Sequence, residues 1–219
     1  MRSKLTLMPF VVLLPVLMLG CAGREKSEIL ERVESVGQEK EATDVSARTY
    51  PIRDANNNFV TLETSLGNMT LELYRDVAPA HADSFLARSQ QGFYNGTIFH
   101  RIISGFMMQG GDPTGTGTGN AGYYLDAEFS DLKHVKGTLS MARAADPNSA
   151  SCQFFICFGP TPQLDGQYTV FGHLIRGYDT LEAIEKVPVA RSMAGEMSKP
   201  VNEVRLIRAY QSDANGNPL

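Results

Sequence analysis

The chain has 219 residues, of which 42% are hydrophobic and 20% are charged, and its formal net charge is −4. The apolar fraction is too high and the net charge too small for a disordered protein. Three cysteines form neither a disulfide scaffold nor a four-ligand zinc site, and a mildly acidic chain without basic blocks is a poor binder of nucleic acid. The composition predicts one globular domain that buries its own core, with room for an appendage at one end.

The first twenty residues have the pattern of an export signal. Arg2 and Lys4 precede an uncharged apolar run at residues 5–19. This run is short for a membrane span, which needs about 20 apolar residues, and it contains two prolines. A cleaved signal peptide over residues 1–20 explains the pattern better than an uncleaved anchor does.

A single cysteine follows the run directly, in the tetrapeptide Met18-Leu19-Gly20-Cys21. The tetrapeptide resembles the lipobox of bacterial lipoproteins, although Met18 stands where that pattern most often has leucine. The resemblance implies lipid attachment at Cys21 and a place in the bacterial cell envelope, anchored to a membrane and facing the periplasm or the exterior. Ordinary secretion, with cleavage near Ala22 or Gly23, is the alternative.

Residues 21–56 predict a lipid-anchored charged tether, because they combine charge runs with few large apolar groups. As a flexible coil of about 35 residues the tether would span on the order of 30–35 Å. A short helix around residues 27–41 is an alternative, since apolar residues recur there at helical spacing.

From Phe59 onward the hydrophobic pattern has a period of two, which is typical of half-buried strands. Alternating residues at 60–62 and 69–73 flank a turn at Gly67 and predict a hairpin. Six further strands are predicted at residues 97–102, 106–109, 137–142, 153–158, 169–174 and 201–209.

Two helices are predicted between these strands. The first begins near Pro79 and ends before Gly92. The second covers residues 180–187, where Asp179 and Glu182 resemble a capping box and a proline ends the helix. The inward stripe of the first helix consists of Ala78, Ala82, Phe85 and Leu86.

About eight short strands and two helices, without βαβ alternation, predict a mainly β fold. The specific expectation is a closed eight-stranded antiparallel β-barrel capped by two α-helices, over residues 57–211, with a C-terminal tail at residues 212–219. A monomer is expected, because no long exposed apolar stripe is apparent.

Several motifs look like chemistry but fit structural roles better. The glycines of residues 117–122 match the dinucleotide fingerprint G-x-G-x-x-G, yet no helix pattern follows them. The four histidines show no ligand spacing, so no metal site and no cofactor are expected. Cys152 and Cys157 are predicted to be separate buried thiols on opposite faces of one strand. Turn and surface roles suit the three central acids, which are Asp112, Asp126 and Glu128.

An arginine inside an apolar strand points to function more clearly than these motifs do. Arg101 stands among aromatic and aliphatic residues, and Gln109 follows eight residues later. A burial-prone guanidinium needs partners, and a nearby amide can position it. From the residues alone, a structural arginine that ties strands together is as good an interpretation as a catalytic one.

Three blocks of the chain together resemble the signature of the cyclophilins, the cyclophilin-type peptidyl-prolyl isomerases. They are residues 99–112 (FHRIISGFMMQGGD), residues 139–156 (LSMAR through NSASCQFFI) and residues 164–172 (LDG through VFG). The blocks fall in the family's order, and the resemblance covers roughly residues 57–211. It implies a peptidyl-prolyl cis-trans isomerase (EC 5.2.1.8 type) that acts on proline-containing segments of unfolded or folding proteins and needs no cofactor. Together with the export signal, this predicts that the chain assists the folding of exported proteins. The alternative is a proline-peptide binding or chaperone module with incidental catalysis.

The resemblance also implies roles for individual residues. Arg101 matches the catalytic arginine and Gln109 the residue that orients it, while Phe106 belongs both to this catalytic set and to the pocket for the proline ring. Three departures from the best-known eukaryotic members imply weak cyclosporin binding: Gln163 replaces a tryptophan, Tyr168 a pocket histidine and Arg143 an asparagine. The implied substrate-binding residues are Met107, Ala142, Arg143, Gln153, Phe155, Leu164 and Tyr168.

Overall fold

The computed structural model describes residues 58–219, so the predicted signal peptide, Cys21 and the tether lie outside the described residues. Within that part, neither helix has the length and apolar character needed to cross a bilayer. The helices are α1 (Pro79–Gln90) and α2 (Tyr178–Glu185), and the strands are β1 (Phe59–Thr64), β2 (Gly67–Leu73), β3 (Arg101–Ile103), β4 (Met107–Gly110), β5 (Thr138–Met141), β6 (Phe154–Cys157), β7 (Val170–Arg176), β8 (Val189–Arg191), β9 (Met197–Pro200) and β10 (Leu206–Ser212).

Eight of these strands form one antiparallel sheet in the order β10-β1-β2-β7-β5-β6-β4-β3. The prediction of a mainly β fold with two helices is therefore confirmed. The sheet curls into a half-barrel, and its ladder ends at β3 and β10. One isolated bridge, between Ile98 and Arg205, joins the segments that precede these two edge strands. Full closure of the barrel stays a prediction.

The core lies on the inner face of the sheet and is set by strand register. Ile102 pairs with Met108, Met108 with Ile156, and Ile156 with Leu139, so one row of apolar residues crosses four strands. All four side chains are fully buried. Because directly paired residues of an antiparallel sheet share a face, this row also fixes which residues face outward.

Helix α1 packs its apolar stripe on this core as predicted. Phe85 is fully buried and meets the ring of Phe154 edge-on, with 5.1 Å between the centroids. The helix has no side-chain cap of its own at Ala78. Instead Glu128, from a distant loop, accepts the backbone N–H groups of Ala80 and His81 at 3.1 and 3.0 Å. A carboxylate at a helix N-terminus is favourable, because it satisfies free N–H groups and complements the helix dipole.

The predicted capping box of α2 is wrong. The helix begins at Tyr178, and Gly177 before it has a φ of 92° and provides no side-chain cap. A Cβ on Gly177 would lie 2.2 Å from the carbonyl oxygen of Asn68, so a glycine is required at this turn. Glu182 lies inside the helix and forms an ion pair with Lys136 at 2.5 Å.

The hairpin of β8 and β9 was not predicted, and the strand expected at residues 201–209 begins only at Leu206. The two hairpin strands are mostly exposed, so they show no apolar alternation. A tight turn joins them, in which the Ser192 N–H donates to the carbonyl of Glu196 at 2.7 Å. Gly195 adopts a positive φ of 86° within this turn.

The two cysteines of the domain are free and buried, as predicted. Cys152 packs in the main core, while Cys157 belongs to a separate cluster on the outer face of the sheet. Burial raises the pKa of each thiol to about 11, so both are protonated and unreactive at neutral pH.

Acid is expected to destabilise the fold through His173, which lies in β7 with 2% of its surface exposed. Burial lowers the pKa of His173 from 6.5 to about 4, because the core solvates the imidazolium poorly. Between these two pH values the unfolded chain binds a proton at this residue and the folded chain does not. The contribution to stability is therefore complete above pH 6.5 and is lost as the pH falls towards 4.

We predict that the free energy of unfolding, measured by urea titration, falls between pH 7 and pH 4.5, with up to about 3 kcal/mol attributable to this residue. The slope should be smaller in His173→Gln. It should not vanish, because burial also lowers the pKa values of the other three histidines, His81, His100 and His134. Equal slopes in the variant and the wild-type chain would contradict this assignment.

Candidate active site

The outer face of the sheet carries a second row of paired residues, one position out of phase with the core row. Arg101 pairs with Gln109, Gln109 with Phe155, and Phe155 with Ser140. Paired residues share a face, so the alternation that buries one row places the other on the outside of the same four strands. A guanidinium, an amide and an aromatic ring are thereby brought side by side.

A small cavity of about 120 Å³ lies on this face, and we call it the apolar cavity because its floor is apolar, although polar side chains line its rim. A water molecule takes about 30 Å³ and drug-sized ligands need about 300–1,000 Å³, so the cavity suits one small ring or side chain. Met107 and Phe155 are almost fully buried in its floor. Nine of the ten predicted site residues of the domain line it, namely Arg101, Phe106, Met107, Gln109, Ala142, Arg143, Phe155, Leu164 and Tyr168.

The tenth predicted residue, Gln153, lines a second cavity of about 370 Å³ next to the first. Gln109, Ala142 and Arg143 line both cavities, so the two form one continuous groove. The structure therefore brings all ten residues together. A groove that has a small apolar cavity at one end and polar side chains along it is shaped for an extended segment rather than for a compact ligand.

The ring of Phe155 is held on two sides. Tyr168 meets it edge-on, with 5.8 Å between centroids, and the imidazole of His134 stacks on it at 6.0 Å with an interplanar angle of 13°. His134 is in turn held by Asp165 at Nδ1 and by Ser140 at Nε2, each at 3.0 Å. Burial lowers the pKa of His134, although the hydrogen bond to Asp165 opposes this shift. The pocket floor is thus rigid, because the groups behind it are hydrogen-bonded.

Ser140, His134 and Asp165 are linked by hydrogen bonds in the way that the serine, histidine and aspartate of a hydrolase triad are linked. They do not form a reactive triad. Ser140 is fully buried, and its hydroxyl donates to the carbonyl oxygen of Thr169 at 2.9 Å. A nucleophile must reach its substrate, which this hydroxyl cannot do. The three residues therefore support the pocket.

Arg101 is partly exposed, and a carboxylate grips one edge of its guanidinium. The Nε of Arg101 donates to Oε2 of Glu196 at 2.7 Å, and its Nη2 donates to Oε1 at 2.9 Å. The hydrogen bond from Arg101 lowers the pKa of Glu196. Gln109 is paired with Arg101 in register, yet its side-chain amide donates to Gln153 at 2.9 Å.

The wall of the groove beyond Gln153 is a loop built around Asp112. Asp112 is fully buried and accepts four hydrogen bonds, from Thr114 (backbone N–H and hydroxyl) and from the N–H groups of Gly117 and Gly119. Burial by itself raises the pKa of Asp112, but these hydrogen bonds outweigh it and the pKa is lowered. The expected turn role of Asp112 holds, whereas the expected surface position is wrong.

The glycines in this loop serve close packing rather than phosphate binding. A Cβ on Gly119 would lie 2.0 Å from Oδ1 of Asp112, and Gly117 has a positive φ of 89°. Their carbonyl oxygens accept the side-chain amide of Gln153 at 2.8 and 3.1 Å. The loop thereby fixes Gln153, and through it the amide of Gln109.

The opposite wall of the groove carries Arg143 and Tyr168. The guanidinium of Arg143 lies over the ring of Tyr168, 4.6 Å from its centroid, and donates to the carbonyl oxygen of Gln167. Leu164 ends a short 3-10 helix, Pro162–Leu164, that closes the apolar cavity on this side. Stacking of a guanidinium on an aromatic face holds both groups in place.

Four residues of this arrangement were not predicted as part of the site: Ser140, His134, Asp165 and Glu196. The first three support Phe155 from behind, and a buried histidine beside polar residues gives no distinctive signal in the sequence. Glu196 lies in the hairpin of β8 and β9, which the hydrophobic pattern does not reveal.

The chemistry available here is that of binding and polarisation. Among residues 58–219 no group of three or more histidine, cysteine, aspartate or glutamate side chains is placed to hold a metal ion. The groove offers a fixed cationic hydrogen-bond donor beside an apolar cavity. Such a donor can stabilise a lone pair or a partial negative charge that develops on a bound ligand.

Comparison with known proteins identifies the family. The family described as cyclophilin type peptidyl-prolyl cis-trans isomerase/CLD matches residues 59–211. The chain is 44% identical to the peptidyl-prolyl cis-trans isomerase CYP18-1 of Arabidopsis thaliana over 165 residues, which cover 73% of this chain and 98% of that protein. It is 43% identical to the isomerase ppi1 of Schizosaccharomyces pombe over 155 residues, which cover 68% and 96% of the two chains.

A solved structure agrees with the sequence relatives. The fold is similar to the crystal structure of a cyclophilin-type peptidyl-prolyl cis-trans isomerase of Cryptosporidium parvum, determined in the presence of the dipeptide Ala-Pro. The TM-score is 0.64 and the identity 41%, over 69% of this chain and 96% of the other. From the match of family, relatives and fold, the chain belongs to the cyclophilin-type peptidyl-prolyl cis-trans isomerases.

Proposed function

We propose that Arg101 and the apolar cavity beside it catalyse rotation about X–Pro bonds, and that the chain does this for exported proteins while anchored to a membrane by a lipid. The observation that carries the catalytic part is the placement of one guanidinium, fixed by a carboxylate, on the rim of a cavity the size of a small ring.

Rotation about an X–Pro bond needs no nucleophile and no bond cleavage. Amide resonance sets a barrier of about 18–20 kcal/mol, and the uncatalysed reaction takes tens to hundreds of seconds. An enzyme lowers this barrier by binding the twisted amide more tightly than the planar one. In the twisted state the prolyl nitrogen regains a lone pair, which a hydrogen-bond donor can stabilise.

In our proposal the groove divides this work between two groups of residues. Arg101 donates to the region of the prolyl nitrogen, and its fixed position means that little reorganisation is needed in the transition state. The apolar cavity holds the proline ring while the preceding carbonyl swings. The ring would contact Phe106, Met107, Phe155 and Leu164, and the peptide backbone would lie along Gln109, Ala142, Arg143, Gln153 and Tyr168.

The similar Cryptosporidium parvum protein was crystallised in the presence of Ala-Pro, which supports a proline-containing peptide as the ligand of this groove. The fixed guanidinium favours an enzyme over a binding module with incidental catalysis, because peptide binding alone has no need of a preset donor at the ring. Loss of Arg101 distinguishes the two hypotheses. If the chain is an enzyme, the loss removes catalysis, and if it is a binding module, the loss leaves peptide binding intact.

The proposal of export and lipid attachment rests on the sequence. The positive residues Arg2 and Lys4, the apolar run at residues 5–19 and the junction ending in Cys21 support it. A lipid-anchored form would hold the isomerase near newly exported chains, with the charged residues 21–56 as a spacer and the domain as a monomer.

We also propose that the sheet closes into a barrel. Backbone hydrogen bonds of 2.9 Å from Phe99 to Val204 and from Leu206 to Thr97 join the segments next to the two edge strands. These bonds support closure, because they connect both edges of the half-barrel to each other.

Arg101→Ala should lower kcat/KM by about 100- to 1,000-fold while the chain stays folded, because the variant lacks the donor to the prolyl nitrogen. A proline-limited refolding assay measures the effect. Arg208→Ala is the matched control, since Arg208 is also a half-exposed, ion-paired arginine and lies outside the groove. Wild-type-like rates in Arg101→Ala would contradict the proposed role.

Phe155→Leu should raise KM by about 2- to 10-fold, because leucine fills most of the volume but loses the ring face and its edge contact with Tyr168. Thermal unfolding must accompany the kinetics, so that binding and stability are separated. Phe129→Leu, at an exposed phenylalanine outside the cavity, should leave KM unchanged. An unaltered KM in Phe155→Leu would remove this ring from the proposed binding site.

Cys21→Ser should abolish uptake of labelled fatty acid and release the chain from membranes, since the serine hydroxyl cannot form the thioether of a lipoprotein. Met18→Leu is the matched control and should retain both properties, because it moves the junction towards the usual lipobox. Continued labelling and membrane association of Cys21→Ser would contradict lipid attachment at this residue.

A further inference from the structure

The ion pair between Arg101 and Glu196 has a geometry that leaves the guanidinium able to act. An arginine has five N–H groups, and Glu196 takes two of them, one on Nε and one on Nη2. The remaining three, including both on Nη1, are free of protein acceptors in the described part of the chain. The gripped edge fixes the plane of the guanidinium, and the free edge remains available to a ligand.

Glu196 is itself held in place. It follows Gly195 in the tight turn between β8 and β9, where its carbonyl accepts the Ser192 N–H at 2.7 Å. Ser198, which is buried in β9, adds to the effect of Arg101 in lowering the pKa of Glu196. Strand β9 packs against β3, the strand that carries Arg101. The carboxylate therefore reaches Arg101 from a hydrogen-bonded turn, in a hairpin that packs on the strand of Arg101.

Arg101 and Glu196 differ in the cavities that they line. Arg101 lines the small apolar cavity on one side and a larger cavity of about 620 Å³ on the other. Glu196 lines only the larger cavity. The carboxylate thus holds the guanidinium from the side of the larger cavity and does not line the small one.

From this geometry, and resting on the proposed function, we infer that Glu196 is the positioning residue for Arg101, holding the guanidinium so that its free edge faces the prolyl amide. The side-chain amide of Gln109 donates to Gln153, so the orienting contact in this chain comes from the hairpin carboxylate.

A purely structural role explains the pair less well. The side chains are 35% and 41% exposed, and exposed ion pairs stabilise folded proteins little. A bidentate grip instead removes rotamer freedom from an arginine, which carries considerable side-chain entropy. The ion pair therefore benefits catalysis more than stability, because the catalytic step requires the guanidinium in one place.

The test is Glu196→Gln, which keeps the shape of the side chain but cannot accept two N–H groups with both terminal atoms. We expect kcat to fall by about 3- to 30-fold with KM changed less than about twofold, because the transition state needs the fixed donor more than peptide binding does. Glu203→Gln is the matched control, a comparably exposed glutamate that pairs with Arg205 instead, and it should leave kcat unchanged.

Two further measurements separate positioning from structure. In nitrogen-15 NMR of the full chain, the Nε–H of Arg101 should be protected from solvent exchange in the wild type and lose that protection in Glu196→Gln. In the Arg101→Ala background, Glu196→Gln should have no additional effect on kcat, because the residue acts only through the arginine.

Three results would overturn the inference while leaving the proposed function intact: an unchanged or raised kcat in Glu196→Gln, an undiminished effect in the Arg101→Ala background, or an unprotected Nε–H in the wild type. A wild-type chain without isomerase activity would instead overturn the proposed function, and the positioning role with it.

Discussion

The register of four antiparallel strands is the constraint on which the rest of the site depends. In β3, β4, β6 and β5 one row of paired residues is buried in the core and the neighbouring row faces outward. A slip of one residue would move Ile102 and Met108 to the surface and Arg101 and Gln109 into the core, at the cost of burying charge and exposing apolar area. The hydrophobic effect that builds the core therefore also positions the guanidinium beside Phe155.

Around this row, rigidity comes from polar groups that take no part in the chemistry. The buried carboxylate of Asp112 holds the loop that fixes Gln153, and the chain from Asp165 through His134 supports Phe155. X–Pro rotation breaks no bonds, so an enzyme for it gains from a preorganised donor and a shaped cavity rather than from a reactive side chain. The site can therefore consist of an arginine, an amide and apolar groups. The polar residues behind these groups hold them in position.

How much the sequence predicts follows from the range of the interactions involved. Alternation locates the strands, and proline and glycine locate α1, because these signals depend on nearby residues. All ten predicted groove residues lie together, since the family resemblance carries long-range information that periodicity lacks. The cap on α1 from Glu128 and the contact of Glu196 with Arg101 join residues far apart in the chain. Such contacts leave no local pattern, and the exposed hairpin of β8 and β9 leaves none either.

A fixed guanidinium beside a small apolar cavity should interconvert the cis and trans forms of a proline peptide. Exchange NMR on a proline peptide, at catalytic amounts of the chain, tests it most directly. We expect cis–trans cross peaks with the wild-type chain and their loss with Arg101→Ala, while the amide spectrum of the variant shows that it is folded. Cross peaks of equal intensity with a folded Arg101→Ala variant would contradict it.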